Sequence, residues 1–466
     1  MAPSRCAHEI SQNKKLERIQ KLISFIKAAG RQQHTAKLTE VWAIPQCSIT
    51  DVRILFVVGA DPSALYENEY GEKVLADRME NGSICSLCGK KYREFLQFAR
   101  QIHQAQYGKI PLKIKKPTKP IGQEHGLVTV ALDGGGMRGL VSIVCMLFTS
   151  RRILGDESFP NLVDWWVGCS TGSMLALALA KGNSLIDTFF LYWEMKNEIF
   201  LDKSTMKRLF GNVIDKQSVR VDNVLNRVFD NENDTFLNSP LRLTVPALDI
   251  TTTPGRLHVF RNYPTKGNMI EDVHFKDAAR ASSAAPTYFH PHTMGARKLV
   301  DGSLVANCPL GILFGEYDKC LQTGDKLKLG CVISIGTGEP AETKRRYKSG
   351  SSLSHRSRHL RDMAVLLIEQ VVGYERSVVD CAKDRCLAAG IPFFRICPVG
   401  IDVKIDQIND GVLMDMIWET LLHLLRNCEQ VDELGQSLAK LCNSPSNPTP
   451  RRARRGHSVE PPMRLC

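Results

Sequence analysis

The chain has 466 residues, enough for about three domains at roughly 150 residues each. Hydrophobic residues make up 43% and charged residues 24%, which excludes wholesale disorder. Against 49 Asp and Glu stand 61 Lys and Arg, and the resulting +12 points to an anionic partner, either nucleic acid or an acidic membrane surface.

Met1-Ala-Pro-Ser-Arg-Cys6 has no apolar core of a secretory signal, and no run approaches 18 uncharged apolar residues. Neither a leader nor a spanning helix is expected, so the fifteen cysteines are expected as reduced thiols, Cys85-x-x-Cys88 included. Leu16, Ile19, Leu22, Ile23 and Ile26 recur on one helical face and predict a packed amphipathic helix. Asp51–Ala76 contains an apolar helix followed by Gly59-Ala60-Asp61, which looks like half an ankyrin repeat without its Thr-Pro-Leu-His signature. One such unit does not bury its own face, so it is expected to pack on something else. Tyr107–Gln123, with three prolines, five lysines and no acid, reads as a linker.

From Gly126 the pattern changes. Leu127–Leu132 reads as a strand, Leu140–Ser150 as a helix, Leu162–Val167 as a second strand and Ser173–Lys181 as a second helix. Strand, turn and helix twice over predict an α/β fold with a mostly parallel sheet, with further strands at Arg242–Asp249, His258–Phe260 and Lys328–Ser334. Lys344–Arg361 reads as a basic loop, Val412–Leu441 as helical, and Ser444–Cys466 as a disordered basic tail. The domains expected are a helical segment at 1–106, a linker at 107–125, an α/β domain at 126–442 and a tail at 443–466.

Two turns carry chemistry. Gly168-Cys-Ser170-Thr-Gly172 matches the nucleophile elbow, in which a serine stands on a tight strand-to-helix turn with glycines two positions to either side. Asp133-Gly-Gly-Gly-Met-Arg-Gly139 exposes consecutive backbone N–H groups at a strand end, suited to an oxyanion or a phosphate. Gly134-x-Gly136-x-x-Gly139 also fits the dinucleotide fingerprint, with Asp156 and Glu157 about 20 residues on, though in a loop rather than at a strand end. Only the oxyanion reading uses both turns. A serine needs a base. His355 or His359 would follow hydrolase order but both lie in the Ser/Arg-rich loop, while Asp301-Gly302 follows the apparent strand Lys298–Val300. Asp230-x-Glu232-x-Asp234 begins like a calcium loop, but Thr235 replaces the turn glycine and Leu241 the bidentate glutamate.

Asp133–Gly139, Gly168–Gly172, Ala281–Pro286 and Asp301-Gly302 together resemble a patatin-like phospholipase. The likeness is closest to the group VI calcium-independent phospholipase A2 enzymes, and His258–Tyr263, Ile333–Gly338 and Ile417–Thr420 extend it over roughly 126–440. The resemblance implies a patatin-like three-layer fold and a Ser–Asp dyad, with Ser170 as nucleophile and Asp301 as base. Gly134, Gly135 and Gly136 would form the oxyanion hole with Arg138 lending positive charge, and no metal or cofactor is implied. It also suggests dimers, and the Gly loop has been read as a nucleotide site in this subfamily. Ser303 and Cys308 depart from its Asp-Gly-Gly and Asn-Asn-Pro patterns.

The function so implied is hydrolysis of glycerophospholipid acyl esters by a cytoplasmic enzyme peripheral to the membrane. The alternatives are a nucleotide-binding module and a catalytically silent interaction protein. Gly108–Pro120, Lys344–Arg361 and Ser444–Cys466 carry net charges of +5, +7 and +4, so the remainder is net −4. None interleaves aromatics with its basic residues, which favours a phospholipid surface over nucleic acid.

Overall fold

The computed structural model describes residues 12–44, 49–114, 126–200, 212–266, 270–340 and 375–443. The basic loop at 344–361, the tail from 444, most of the linker (115–125), and His355 and His359 lie outside the described residues.

Strand β1 (Leu127–Leu132) is buried along its whole length, as a nearly all-apolar run covered on both faces must be. Its neighbours are β2 (Trp165–Gly168) on one side and β7 on the other, within a sheet completed by β3 (Arg242–Asp249), β4 (Arg256–Arg261), β5 (His292–Met294), β6 (Arg297–Asp301), β7 (Leu329–Ile335) and β8 (Phe393–Ile396). The order is β5-β6-β3-β2-β1-β7-β8, with β4 beside β3. The central pairings β3–β2, β2–β1, β1–β7 and β7–β8 are parallel. The edge formed by β4, β5 and β6 is antiparallel.

Alternation along the strands sorts side chains into two cores. Val128, Val130, Leu132 and Trp166 join the larger cluster, and Leu127, Ala131, Trp165 and Val167 the smaller. The smaller core is closed by the helices Leu310–Gln322 and Glu375–Ala388 through Leu313, Phe314 and Cys386. This is the three-layer α/β architecture expected.

The larger core continues into the N-terminal helices α1 (Gln12–Ala28), α2 (Arg31–Ala43), α3 (Ile49–Val57), α4 (Tyr70–Glu80) and α5 (Ser86–Tyr107). The ankyrin-like helix α3 is buried from Thr50 to Val57, between α2, α5 and the helix Asp410–Arg426. Its buried Arg53 pairs with Asp415 at 2.8 Å and lies over the Trp418 ring at 4.6 Å. At its C-terminus Arg151, from α6 (Gly139–Leu154), donates to the Val57 carbonyl at 2.6 Å. One apolar core therefore runs across the boundary that composition placed near residue 106.

Several boundaries differ from expectation, two of them for a local reason. The second strand begins at Trp165 rather than Leu162, because Phe159–Leu162 closes a 3-10 turn in which Pro160 has no N–H for a ladder. The C-terminal helical stretch is two helices, Asp410–Arg426 and Cys428–Asn443. At the break between them the Asn427 side chain donates to the His423 carbonyl at 2.8 Å, in competition with the backbone ladder. Among the described residues no helix is long and apolar enough to cross a membrane.

Candidate active site

The chain leaves β2 at Gly168 and enters α7 (Thr171–Lys181) through Cys169 and Ser170. Ser170 has φ 52° and ψ −121°, a strained conformation for a residue with a side chain. The glycines make it feasible. A Cβ on Gly168 would overlap the Gly172 carbonyl, and one on Gly172 would overlap the Leu132 carbonyl. The Ser170 N–H donates to Ser282 Oγ at 2.9 Å, and Ser282 donates onward to the Pro246 carbonyl at 2.7 Å. That anchor leaves the Ser170 hydroxyl directed at Asp301, donating to Oδ2 at 2.8 Å.

Asp301 is the last residue of β6 and is 4% exposed. Gly302 follows because a Cβ there would overlap the Pro246 carbonyl. Burial pushes the Asp301 carboxyl up from 3.8 to about 6, opposed by hydrogen bonds from Ser303 and Ser170. The aspartate of Asp301-Gly302, picked out in the sequence, thus lies beside the elbow serine.

Facing them is the glycine loop after β1. Its three glycines are not equivalent. The Gly134 N–H is engaged by the Asn307 carbonyl at 3.0 Å. The N–H groups of Gly135 and Gly136 have no partner among the described residues, and both glycines line the pocket. Close packing requires each to be glycine: a Cβ on Gly135 would overlap Thr337 Oγ1, and one on Gly136 (φ 57°) the Ile405 carbonyl. The loop is held from both sides. Met137 donates its N–H to Ile405 at 2.8 Å, and Thr171 Oγ1 donates to the Gly136 carbonyl at 3.0 Å. Tyr192 of α8 (Leu185–Ile199) donates to the Thr171 carbonyl at 2.7 Å, so the residue after Ser170 ties the elbow to the loop.

Arg138, expected to add positive charge to the hole, directs its guanidinium toward the Gly338 carbonyl at 3.5 Å and is not among the residues that line the pocket. The cation under the loop is Arg395 of β8, 2.6 Å from the fully buried Asp133. Nothing in the sequence marks Arg395, because its partnership exists only once β8 lies in the sheet. Asp156 and Glu157, the acids of the dinucleotide reading, are committed elsewhere. Asp156 accepts from Ser158, and Glu157 accepts from Arg151 at 2.6 Å. In the calcium-like loop Asp230 and Asp234 both take the Lys181 ammonium, at 2.9 and 2.8 Å.

Ser170 and Asp301 open onto a pocket of about 1020 Å³, counting its mouth. Met174, Met195, Ile199, Phe200, Val221 and Leu304 give it an apolar wall, and among the described residues no histidine lines it. The arrangement joins a serine hydroxyl, a buried carboxylate within hydrogen-bond reach, two backbone N–H groups and an apolar cavity. That is the equipment of acyl transfer on a substrate with a long apolar tail.

Residues 130–314 match the family model described as patatin-like phospholipase, so the resemblance carried by the motifs is met there. The 85/88 kDa calcium-independent phospholipase A2 of Rattus norvegicus is 28% identical over 340 residues, covering 66% of this chain and 40% of that protein. The intracellular phospholipase A2 of Caenorhabditis elegans is 27% identical over 388 residues, covering 78% of this chain and 35% of that protein. The cGAMP-activated phospholipase of Escherichia coli is 31% identical over 224 residues, covering 45% of this chain and 61% of that protein. The chain thus spans well under half the length of the two animal relatives.

Proposed function

We propose that this chain, whose residues 130–314 carry a patatin-like phospholipase domain, is a calcium-independent phospholipase A2 that cleaves fatty acyl esters of glycerophospholipids. The observation that carries the reading is the 2.8 Å hydrogen bond from Ser170 Oγ to Asp301 Oδ2, opening onto an apolar pocket.

In this reading Asp301 takes the Ser170 proton as Oγ attacks the ester carbonyl. The oxyanion receives the Gly135 and Gly136 N–H groups. The proton passes from Asp301 to the departing glycerol oxygen, and the lysolipid leaves. Water then attacks the acyl-serine, its proton passing through Asp301 to Ser170 as the fatty acid is released. A base titrating near 6 is ionised at pH 7 yet far stronger than an ordinary aspartate. General-base help is worth about 10²–10⁴-fold and one oxyanion donor about 10²–10³-fold. The basic stretches at 344–361 and 444–466 would hold the enzyme on an anionic leaflet, each exposed cation adding about 1 kcal/mol.

Ser170→Ala and Asp301→Asn, assayed for fatty acid release from phospholipid vesicles with a calcium chelator present, test the reading. Both are expected to lose at least about 10²-fold, and wild type to keep its rate under chelation. Retained hydrolysis in either variant would sink the dyad, and loss on chelation would sink the metal-free mechanism.

A further inference from the structure

Two elements lead the pocket away from the dyad. On α8 the Tyr192 hydroxyl reaches the elbow, 2.7 Å from the Thr171 carbonyl. Met195, Ile199 and Phe200 follow along the pocket, and at roughly 1.5 Å per residue Phe200 stands about 12 Å beyond Tyr192. After the helix Phe275–Ser282, the Ala284 carbonyl receives the Asp301 N–H at 3.1 Å. The chain then lines the pocket through Ala285 and Pro286 to Tyr288 and Phe289.

The two routes converge on three aromatic rings. Phe200 meets Tyr288 edge to face at 6.1 Å between ring centres, and Phe289 at 6.3 Å. Phe200 and Phe289 are buried. The rings are held in place by what lies behind them. Tyr288 and Phe289 both donate their N–H to the Ala285 carbonyl, at 3.1 and 3.0 Å, in a turn that puts Thr287 at φ 73°. A β-branched residue takes that conformation only where its surroundings enforce it. His290 follows, donating its N–H to Ser218 Oγ at 2.9 Å and receiving Arg280 on its carbonyl at 3.1 Å. Arg280 in turn pairs with Asp222 at 2.6 Å. Close-packed rings on a fixed turn do not give way to one more methylene without strain.

We propose that Phe200, backed by Tyr288 and Phe289, is the end wall of the acyl pocket and sets the longest fatty acyl chain that this protein cleaves efficiently. The inference rests on the Ser170–Asp301 reading above, in which the acyl carbonyl sits at Ser170 Oγ and the methyl end of the chain points toward Phe200. A chain that overruns the wall has to bend back or draw its carbonyl away from Ser170.

The test is competition between symmetric diacyl phosphatidylcholines, from dihexanoyl to diarachidoyl, paired in neutral detergent micelles and read as the ratio of fatty acids released. Such a ratio reports relative kcat/KM and does not depend on how much of the enzyme is folded. Wild type is expected to cleave chains of increasing length with similar kcat/KM, because each passes from one apolar medium to another. It should then lose about tenfold at the first chain that overruns Phe200. Phe200→Ala leaves an apolar cavity and should move that break about two to four carbons longer. Phe200→Leu, milder for the fold, should move it in the same direction. A wild-type profile without a break, or a break that both variants leave in place, overturns the proposal. Ser170→Ala separates the two levels. If it releases fatty acid as fast as wild type, the dyad reading fails and this inference with it. If it is inactive while the break stays in place in the Phe200 variants, the dyad stands and Phe200 has no part in chain selection.

Discussion

Two strand ends in this protein carry the same dipeptide to different uses. β1 runs into Asp133-Gly134, and β6 ends on Asp301-Gly302. Both carboxylates are buried, at 0% and 4% exposure. Asp133 faces the Arg395 guanidinium at 2.6 Å. Asp301 faces the Ser170 hydroxyl and the Ser303 backbone N–H, and burial without a counter-charge pushes its carboxyl up to about 6. A carboxylate facing a guanidinium has its charge matched by the ion pair. One bound only to neutral donors can still accept a proton. The identity of the partner, rather than burial or local sequence, separates a structural acid from a usable base.

The comparison breaks most visibly at Arg395. Arg395→Met leaves Asp133 buried without its counter-charge and is expected to cost about 3–5 kcal/mol in chemical denaturation. A loss below about 1 kcal/mol would mean that Asp133 does not depend on its partner.

Asp301→Asn should act in the other direction. Because its carboxyl titrates near 6 when folded and near 3.8 when unfolded, the folded state binds the proton more tightly, and ionisation costs stability as pH rises between those values. Above pH 6 the penalty is complete, about 3 kcal/mol at most. The amide removes it, so the inactive variant should melt higher than wild type at pH 8, with the gain shrinking toward pH 4. Equal melting temperatures at pH 8 would show that Asp301 carries no such strain.

The smallest effect is expected at the tie between elbow and loop. Tyr192→Phe deletes the donor to the Thr171 carbonyl. It should cost about 1 kcal/mol of stability and lower kcat about tenfold, or 1.4 kcal/mol, with KM unchanged. A rise in KM with kcat intact would place Tyr192 in substrate binding instead.

Much of the frame is legible in the chain. The bounds of β1 coincide with the apolar run Leu127–Leu132, because a strand buried in a parallel sheet leaves little room for polar residues, and β3 has the expected bounds Arg242–Asp249. The elbow is legible because Gly168 and Gly172 are forced by carbonyls that would overlap any Cβ. What escaped the sequence is made of long-range partners. The ankyrin-like helix is expected to pack on something else, but the partners it finds, Asp415, Trp418 and Arg151, lie far along the chain. The glycine loop looked like three equal donors, yet Asn307 engages Gly134.

By itself, then, the sequence determined the α/β class, the two turns and the serine and aspartate that face each other, because local sterics fix which residues a tight turn tolerates. Only the tertiary structure decided that Asn307 takes the Gly134 N–H and leaves those of Gly135 and Gly136 beside the pocket, and that Arg395 rather than Arg138 faces Asp133. Each depends on what stands opposite a buried polar group, and at low dielectric that partner sets the energy of a charge. Residues far apart in the chain become partners only when the sheet brings their strand ends together.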